Sequence, residues 1–143
     1  MKSVFLDINV ILDIFLQRPP FYQPAALLFS AVEVKKFRCY LCALSYPTLF
    51  YILQKQLKRE KAITILEKIR TVLRTAPVTE KVIDLSLSSN FRDFEDAVQY
   101  YSCIEQMRSA RNTKHQRLAH AGYSDSKSAG FPGAPVVRNT RRH

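Results

Sequence analysis

No apolar run in this 143-residue chain approaches the roughly 20 residues needed to cross a bilayer. That argues against a membrane-spanning role. Met1-Lys2-Ser3 leads straight into a strand-like run with no small-residue cleavage signal behind it. No signal peptide is therefore expected, and a cytoplasmic location is. Cysteine is scarce and odd in number: Cys39, Cys42 and Cys103. Cys39 and Cys42 have CxxC spacing, but no second pair completes a zinc site, and only His115, His120 and His143 could help. Reduced core thiols are the simpler reading. Glycine is almost missing: Gly122, Gly130 and Gly133 are the whole supply, and all fall after residue 105. No internal repeat is visible.

What remains is an ordinary globular composition, 47% hydrophobic, in a length suited to one domain. The net charge of +10 is unevenly spread. Residues 1–105 hold 14 Lys/Arg and 11 Asp/Glu, a balance of +3; residues 106–143 hold 8 Lys/Arg and one Asp, a balance of +7. A basic surface favours a polyanion such as RNA or DNA, or an acidic protein partner. A basic tail that is merely solvated is the plainer alternative.

Strand-like and helical runs alternate. Residues 3–7 read as a short buried strand, and residues 9–16 carry helical periodicity that Arg18-Pro19-Pro20 stops. A helix is predicted over 23–35, with Ala25, Leu28, Phe29 and Val32 on one face, then a strand over 38–42. Ser45 is a good N-cap for the next helix, and Pro47 is tolerated in its first turn. Residues 59–74 form the clearest helix, since Ala62, Ile65, Leu66, Ile69, Val72 and Leu73 recur at helical spacing. That stripe reads as core before it reads as a partner face. A short strand over 76–78 follows, then a helix capped by Thr79 running to Leu87. Asp93 starts a last helix expected to end near Met107. The class is α/β with a parallel sheet.

Two acidic features carry the chemistry. Asp7 ends the apolar run Val4-Phe5-Leu6 and opens an apolar helix, which puts its carboxylate at the C-terminal edge of a strand. Ligands of open α/β sheets bind at that edge. Asp93 and Asp96, three apart, share one helix face that Tyr100 continues, while Glu95 points elsewhere. Carboxylates from both places would suit Mg²⁺ or Mn²⁺. Each also has a simpler use. Asp7 or Asp93 could be a helix cap, Glu95 and Asp96 suit a first helical turn, and Asp13 could pair with Arg18 or face solvent.

Three segments in order resemble the PIN domain family, and within it the VapC-like toxin ribonucleases. They are Phe5-Leu6-Asp7-Ile8-Asn9-Val10-Ile11-Leu12-Asp13, then Ser45-Tyr46-Pro47-Thr48, then Asp93-Phe94-Glu95-Asp96-Ala97-Val98-Gln99-Tyr100-Tyr101. The resemblance covers about residues 2–105. It implies a three-layer α/β/α fold with a short parallel sheet and cleavage of RNA phosphodiester bonds with Mg²⁺ or Mn²⁺. Asp7, Asp93 and Asp96 match the family's metal-binding, catalytic acids. Asn9 matches the residue that orients the first aspartate, and Ser45 the small polar residue of the middle motif. Arg92 and Arg111 would hold the RNA backbone. The implied partners are an RNA substrate, an acidic antitoxin protein and a second copy in a homodimer.

The chain departs from the family in two places. The middle motif has no acid. The family's next strand normally ends in Thr-Arg-Asn/Asp, where this chain offers Ala110-Arg111-Asn112-Thr113-Lys114-His115. Asn112 could match a fourth site position, but His115 stands where an acid is expected, and Gln106-Met107-Arg108-Ser109 is poor strand material. The expected division is thus a PIN-like domain over 1–107 and a basic tail over 108–143, disordered or non-native, with the C-terminal sheet strand missing or altered. A shift of reading frame after about Cys103 would produce such a change, and resequencing the gene tests it. The alternative function is a PIN-fold protein that binds RNA or antitoxin without cutting.

Overall fold

The structure is a computed structural model that describes residues 2–119 and 136–137, with side-chain surroundings for residues 3–111. In chain order the elements are β1 (Lys2–Leu6), α1 (Ile8–Phe15), α2 (Tyr22–Glu33), β2 (Phe37–Cys42), α3 (Ser45–Gln56), α4 (Arg59–Val72), β3 (Arg74–Ala76), α5 (Glu80–Leu87), α6 (Phe94–Ala119) and β4 (Val136–Val137). The strands lie in the order β3-β2-β1-β4, and every pairing is parallel.

Period-two alternation sorts the strand residues onto two faces. Val4, Leu6, Cys39 and Leu41 join one buried cluster with Ile11, Leu12, Phe29, Leu49, Leu53, Ile65 and Ile69 from α1 to α4. Phe5, Tyr40 and Ala76 join a second cluster with Cys103 and Met107 of α6. Helices therefore cover both faces, and the sheet is the middle of three layers. A fully buried leucine such as Leu49 or Leu53 contributes on the order of 2 kcal/mol relative to exposure.

The α4 stripe is core: Ala62, Ile65 and Ile69 are buried. The CxxC spacing cannot act as a chelate, because residues three apart on a strand point to opposite faces. The three cysteines are free and buried. Burial pushes the Cys39 thiol up to about 11. It pushes Cys103 higher still, with Cys42 adding to the rise and a hydrogen bond from Ser102 opposing it. These are inert thiols.

The lack of glycine shows at two helix ends. Gln17 (φ 50°) and Lys35 (φ 58°) take the left-handed position usually given to glycine. After α2, the Lys35 N–H donates to the Val32 carbonyl at 2.9 Å and the Lys36 N–H to the Ala31 carbonyl at 3.0 Å. After α1, the Gln17 N–H donates to the Ile14 carbonyl at 3.3 Å and the Arg18 N–H to the Asp13 carbonyl at 3.1 Å. Both are Schellman closures made without glycine.

Three expectations are corrected. Leu44, not Ser45, occupies the cap position of α3, and Ser45 is its first helical residue. The third strand lies at Arg74–Ala76 rather than over 76–78. Helix α6 does not stop near Met107 but runs to Ala119, so Gln106–Ser109 is helical. The strand beside β1 is Val136–Val137, paired through Phe5↔Val136 and Leu6↔Val137. The rest of the tail, 120–135 and 138–143, with His120 and His143, lies outside the described residues.

Candidate active site

Asp7 is the first residue past β1. Its backbone is still extended (φ −76°, ψ 149°), and its carboxylate makes no capping bond to α1. Instead Asp7 Oδ2 accepts a hydrogen bond from Asn9 Nδ2 at 3.2 Å. Among the described residues Asn9 is the sole side-chain partner of this half-buried acid. Asp7 is thus held by its neighbour rather than used as a cap, and its remaining lone pairs stay open. Asp13, one and a half turns further on, is buried at 1% exposure and does not face solvent.

The strand register fixes what stands beside Asp7. Phe5 is level with Tyr40, so Asp7 is level with Cys42, the last residue of β2. Ser45 follows three residues later and is buried at the same end. Ser102 Oγ donates to Cys42 Sγ at 3.2 Å, which seats α6 against that end of β2. Cys103 and Met107, further along α6, join the buried cluster of Phe5 and Tyr40, which lie earlier on their strands than Cys42, so α6 runs against the strands. Asp96 lies six residues, roughly 9 Å along the axis, toward the α6 N-terminus from Ser102. The α6 N-terminus therefore overhangs the C-terminal edge of the sheet, on the side where Asp7 ends.

Asp93 caps that terminus. Its Oδ1 accepts from the Asp96 N–H at 3.1 Å, and its carbonyl accepts from the Ala97 N–H at 3.2 Å. Asp93 thus serves as the helix cap, and its second carboxylate oxygen stays open. Asp96 is exposed, and among the described residues its carboxylate has no partner. Glu95 accepts from Gln99 Nε2 at 3.1 Å and turns away. Carboxylates at a helix N-terminus sit in the favourable field of its unpaired N–H groups.

Asp7, Ser45, Asp93 and Asp96 thus share one edge. Among the described residues, no three His, Cys, Asp or Glu side chains are grouped to hold a metal ion. In chemistry the donors still fit a hard divalent cation: all are carboxylate oxygens with open lone pairs. Mg²⁺ is commonly held by only one or two carboxylates, with water and substrate phosphate completing its shell.

Asn112 does not join this edge. It lies in α6, sixteen residues and roughly 24 Å along the axis from Asp96. It cannot share an ion with Asp96 on the same helix, and its side chain lies outside the described residues. Arg92, just ahead of Asp93, is exposed beside the acids. Arg111 is exposed too, roughly 22 Å down α6 from Asp96. One group at the site was not legible as such: the rings of Phe91, Tyr100 and Tyr101 pack together next to the two aspartates.

Comparison with known proteins fits this architecture. Residues 3–109 match the PIN domain family. The chain is also 30% identical over 104 residues to Ribonuclease VapC1 of Aquifex aeolicus (strain VF5), covering 69% of this chain and 72% of that one. No solved structure matches. The chain belongs to the PIN domain family, and the matched span carries Asp7, Asn9, Ser45, Asp93 and Asp96 while ending short of Asn112.

Proposed function

We propose that this chain is a metal-dependent endoribonuclease of PIN type and the toxin of a toxin–antitoxin pair. The observation that most supports it is Asp7, oriented by Asn9, at the sheet edge that the Asp93/Asp96 end of α6 overhangs. The name ribonuclease carried by the Aquifex relative agrees with it. Asp7, Asp93 and Asp96 are the residues to hold Mg²⁺ or Mn²⁺. When bound, that ion supplies activation of a water and neutralisation of charge building on the phosphate.

The chain's own residues do the positioning. Asn9 orients the Asp7 carboxylate, and Ser45 is buried just past the end of β2. Arg92 reaches a phosphate beside the acids, and Arg111 meets the strand further along α6. No side-chain nucleophile is needed. The excess positive charge supports an RNA substrate and an acidic antitoxin, and a homodimer completes the proposed assembly. Among the described residues no helix is long and apolar enough to cross a membrane.

The test is cleavage of generic single-stranded RNA with Mg²⁺ and with EDTA. Loss of cleavage in EDTA and in Asp7→Asn is expected; equal activity in both rejects the reading. A second reading is a PIN-fold protein that binds RNA or antitoxin without cutting. His115, standing where the family's pattern has an acid, favours it. It predicts RNA binding with no turnover under any divalent ion.

A further inference from the structure

We propose that Phe91, Tyr100 and Tyr101 form a stacking platform for an unpaired base of single-stranded RNA, beside the acidic edge. The inference rests on the nuclease reading for its setting but on separate residues for its substance. The three rings pack against one another. Phe91 and Tyr100 lie 5.3 Å apart between centroids, Phe91 and Tyr101 6.0 Å, and Tyr100 and Tyr101 5.2 Å with planes at 83°. They brace each other, so a ligand that stacks on them need not order them first.

The cluster does not close into the core. Phe91 is 37% and Tyr100 36% exposed. Aromatic rings held at this exposure forgo burial that the fold could otherwise use. Their place on α6 supplies the occupant. Tyr100 is four residues from Asp96 and seven from Asp93, so all three lie along one helix face. Tyr100 stands about one turn, roughly 6 Å, further along that face than Asp96. Exposed Arg92 sits between Phe91 and Asp93, and brings a cation for a phosphate to the same spot. Rings and a cation within about two helical turns match single-stranded RNA, in which base and phosphate alternate. Bases stack on aromatic side chains whatever their sequence. A paired base has both faces covered and cannot use the platform.

The test separates the platform from the chemistry. Binding of a short oligouridylate is measured in EDTA at low salt by tyrosine fluorescence, which no tryptophan obscures. Tyr100→Ala is expected to weaken binding about tenfold or more, while Tyr100→Phe, which keeps the ring, stays within about twofold of the wild type. A duplex of the same length is expected to bind no differently to the wild type and Tyr100→Ala. Unchanged oligouridylate affinity in a folded Tyr100→Ala, or an equal loss for duplex, overturns the platform. So does a wild type that does not bind the oligouridylate. Mg²⁺-dependent cleavage is scored in parallel. Binding that depends on Tyr100 with no cleavage keeps the platform and rejects the nuclease reading. Cleavage with a KM that Tyr100→Ala does not move keeps the nuclease and rejects the platform.

Discussion

Asp93 Oδ1 accepts the backbone N–H of Asp96 at 3.1 Å, so one proposed ligand closes the helix that carries the next. Two roles therefore fall on Asp93, and two substitutions separate them. Asp93→Ala removes both, and losing the cap costs about 0.5–2 kcal/mol of stability with or without metal. Asp93→Asn keeps an oxygen for the Asp96 N–H and should stay within a few tenths of a kcal/mol of the wild type. Urea denaturation in EDTA measures both. If Asp93→Asn nevertheless loses Mg²⁺-dependent cleavage, the carboxylate acts as a ligand and not only as a cap.

The Asn9 amide holds Asp7 in one orientation. Asn9→Ala should leave the fold intact, because Asn9 is only half-buried on α1. Losing a partner that orients a metal ligand commonly lowers metal affinity or activity about 10- to 100-fold. Mn²⁺ titration of the cleavage rate is the measurement. The expected outcome is a higher Mn²⁺ requirement with recovery at excess metal. A rate loss that no amount of Mn²⁺ restores would place Asn9 in some other role.

The parts of the fold legible in the sequence are those where one signal dominates. The run Val4-Phe5-Leu6 ended by Asp7 admits little besides a buried strand meeting a turn. Thr79 reads as a cap, and its hydroxyl accepts the Val82 N–H at 3.3 Å. Ser45 lies one residue inside the helix rather than at its cap because the turn after β2 begins the helix without any side-chain cap. The end of α6 was hidden for a different reason. From Gln106 to Ala119 there is neither glycine nor proline, so nothing local stops a helix, and a change of composition is not a stop signal. Val136–Val137 is too short to show a period, and only its pairing with Phe5 and Leu6 reveals it as a strand. The aromatic cluster joins a loop residue, Phe91, to ring positions nine and ten residues later, a spacing that no helix or strand template flags.

Lys35 sits at φ 58° in the closure after α2, where a side chain crowds the backbone. An L-residue in this conformation is disfavoured by roughly 1–2 kcal/mol relative to its usual regions, and glycine is not. Glycine costs more chain entropy, which offsets part of the gain. Lys35→Gly should therefore stabilise by about 0.5–1 kcal/mol while keeping the Lys36 N–H bond to Ala31. Chemical denaturation checks it, and destabilisation would mean that the lysine side chain contributes more than its backbone costs.

Glu105 on α6 meets Lys81 of α5 at 2.7 Å and Arg108 at 3.0 Å. The Lys81 hydrogen bond, with the positive charges of Lys81 and Arg108, holds its carboxyl below the ordinary 4.5 although partial burial opposes the shift. A carboxyl depressed in the folded state stabilises fully above its unfolded pKa. That contribution fades as pH falls from 4.5 through the lower folded value. Lys81 is 65% exposed, so the effect is on the order of 0.5–1 kcal/mol. Glu105→Gln should be less stable than the wild type at neutral pH and should converge with it in acid. A constant difference at all pH values would rule out ionisation as the cause.

Tyr40 is fully buried against Phe5 with ring centroids 5.8 Å apart. Among the described residues its hydroxyl is the one buried side-chain polar atom without a hydrogen-bond partner. Leaving such a group unpaired costs about 1–3 kcal/mol, and removing it with its shape otherwise kept is neutral or stabilising. Tyr40→Phe keeps the ring contact with Phe5 and the packing beneath Cys103 and Met107, and deletes only the oxygen. The melting temperature should hold or rise, by about 2–4 °C for each kcal/mol gained in a chain of this size. RNA cleavage should not change, since the ring lies under α6 and away from the acidic edge. A loss of more than about 1 kcal/mol would require a partner for the hydroxyl, because a satisfied buried hydrogen bond is worth about that much. The hydroxyl would then be a fixed point of the α6 layer.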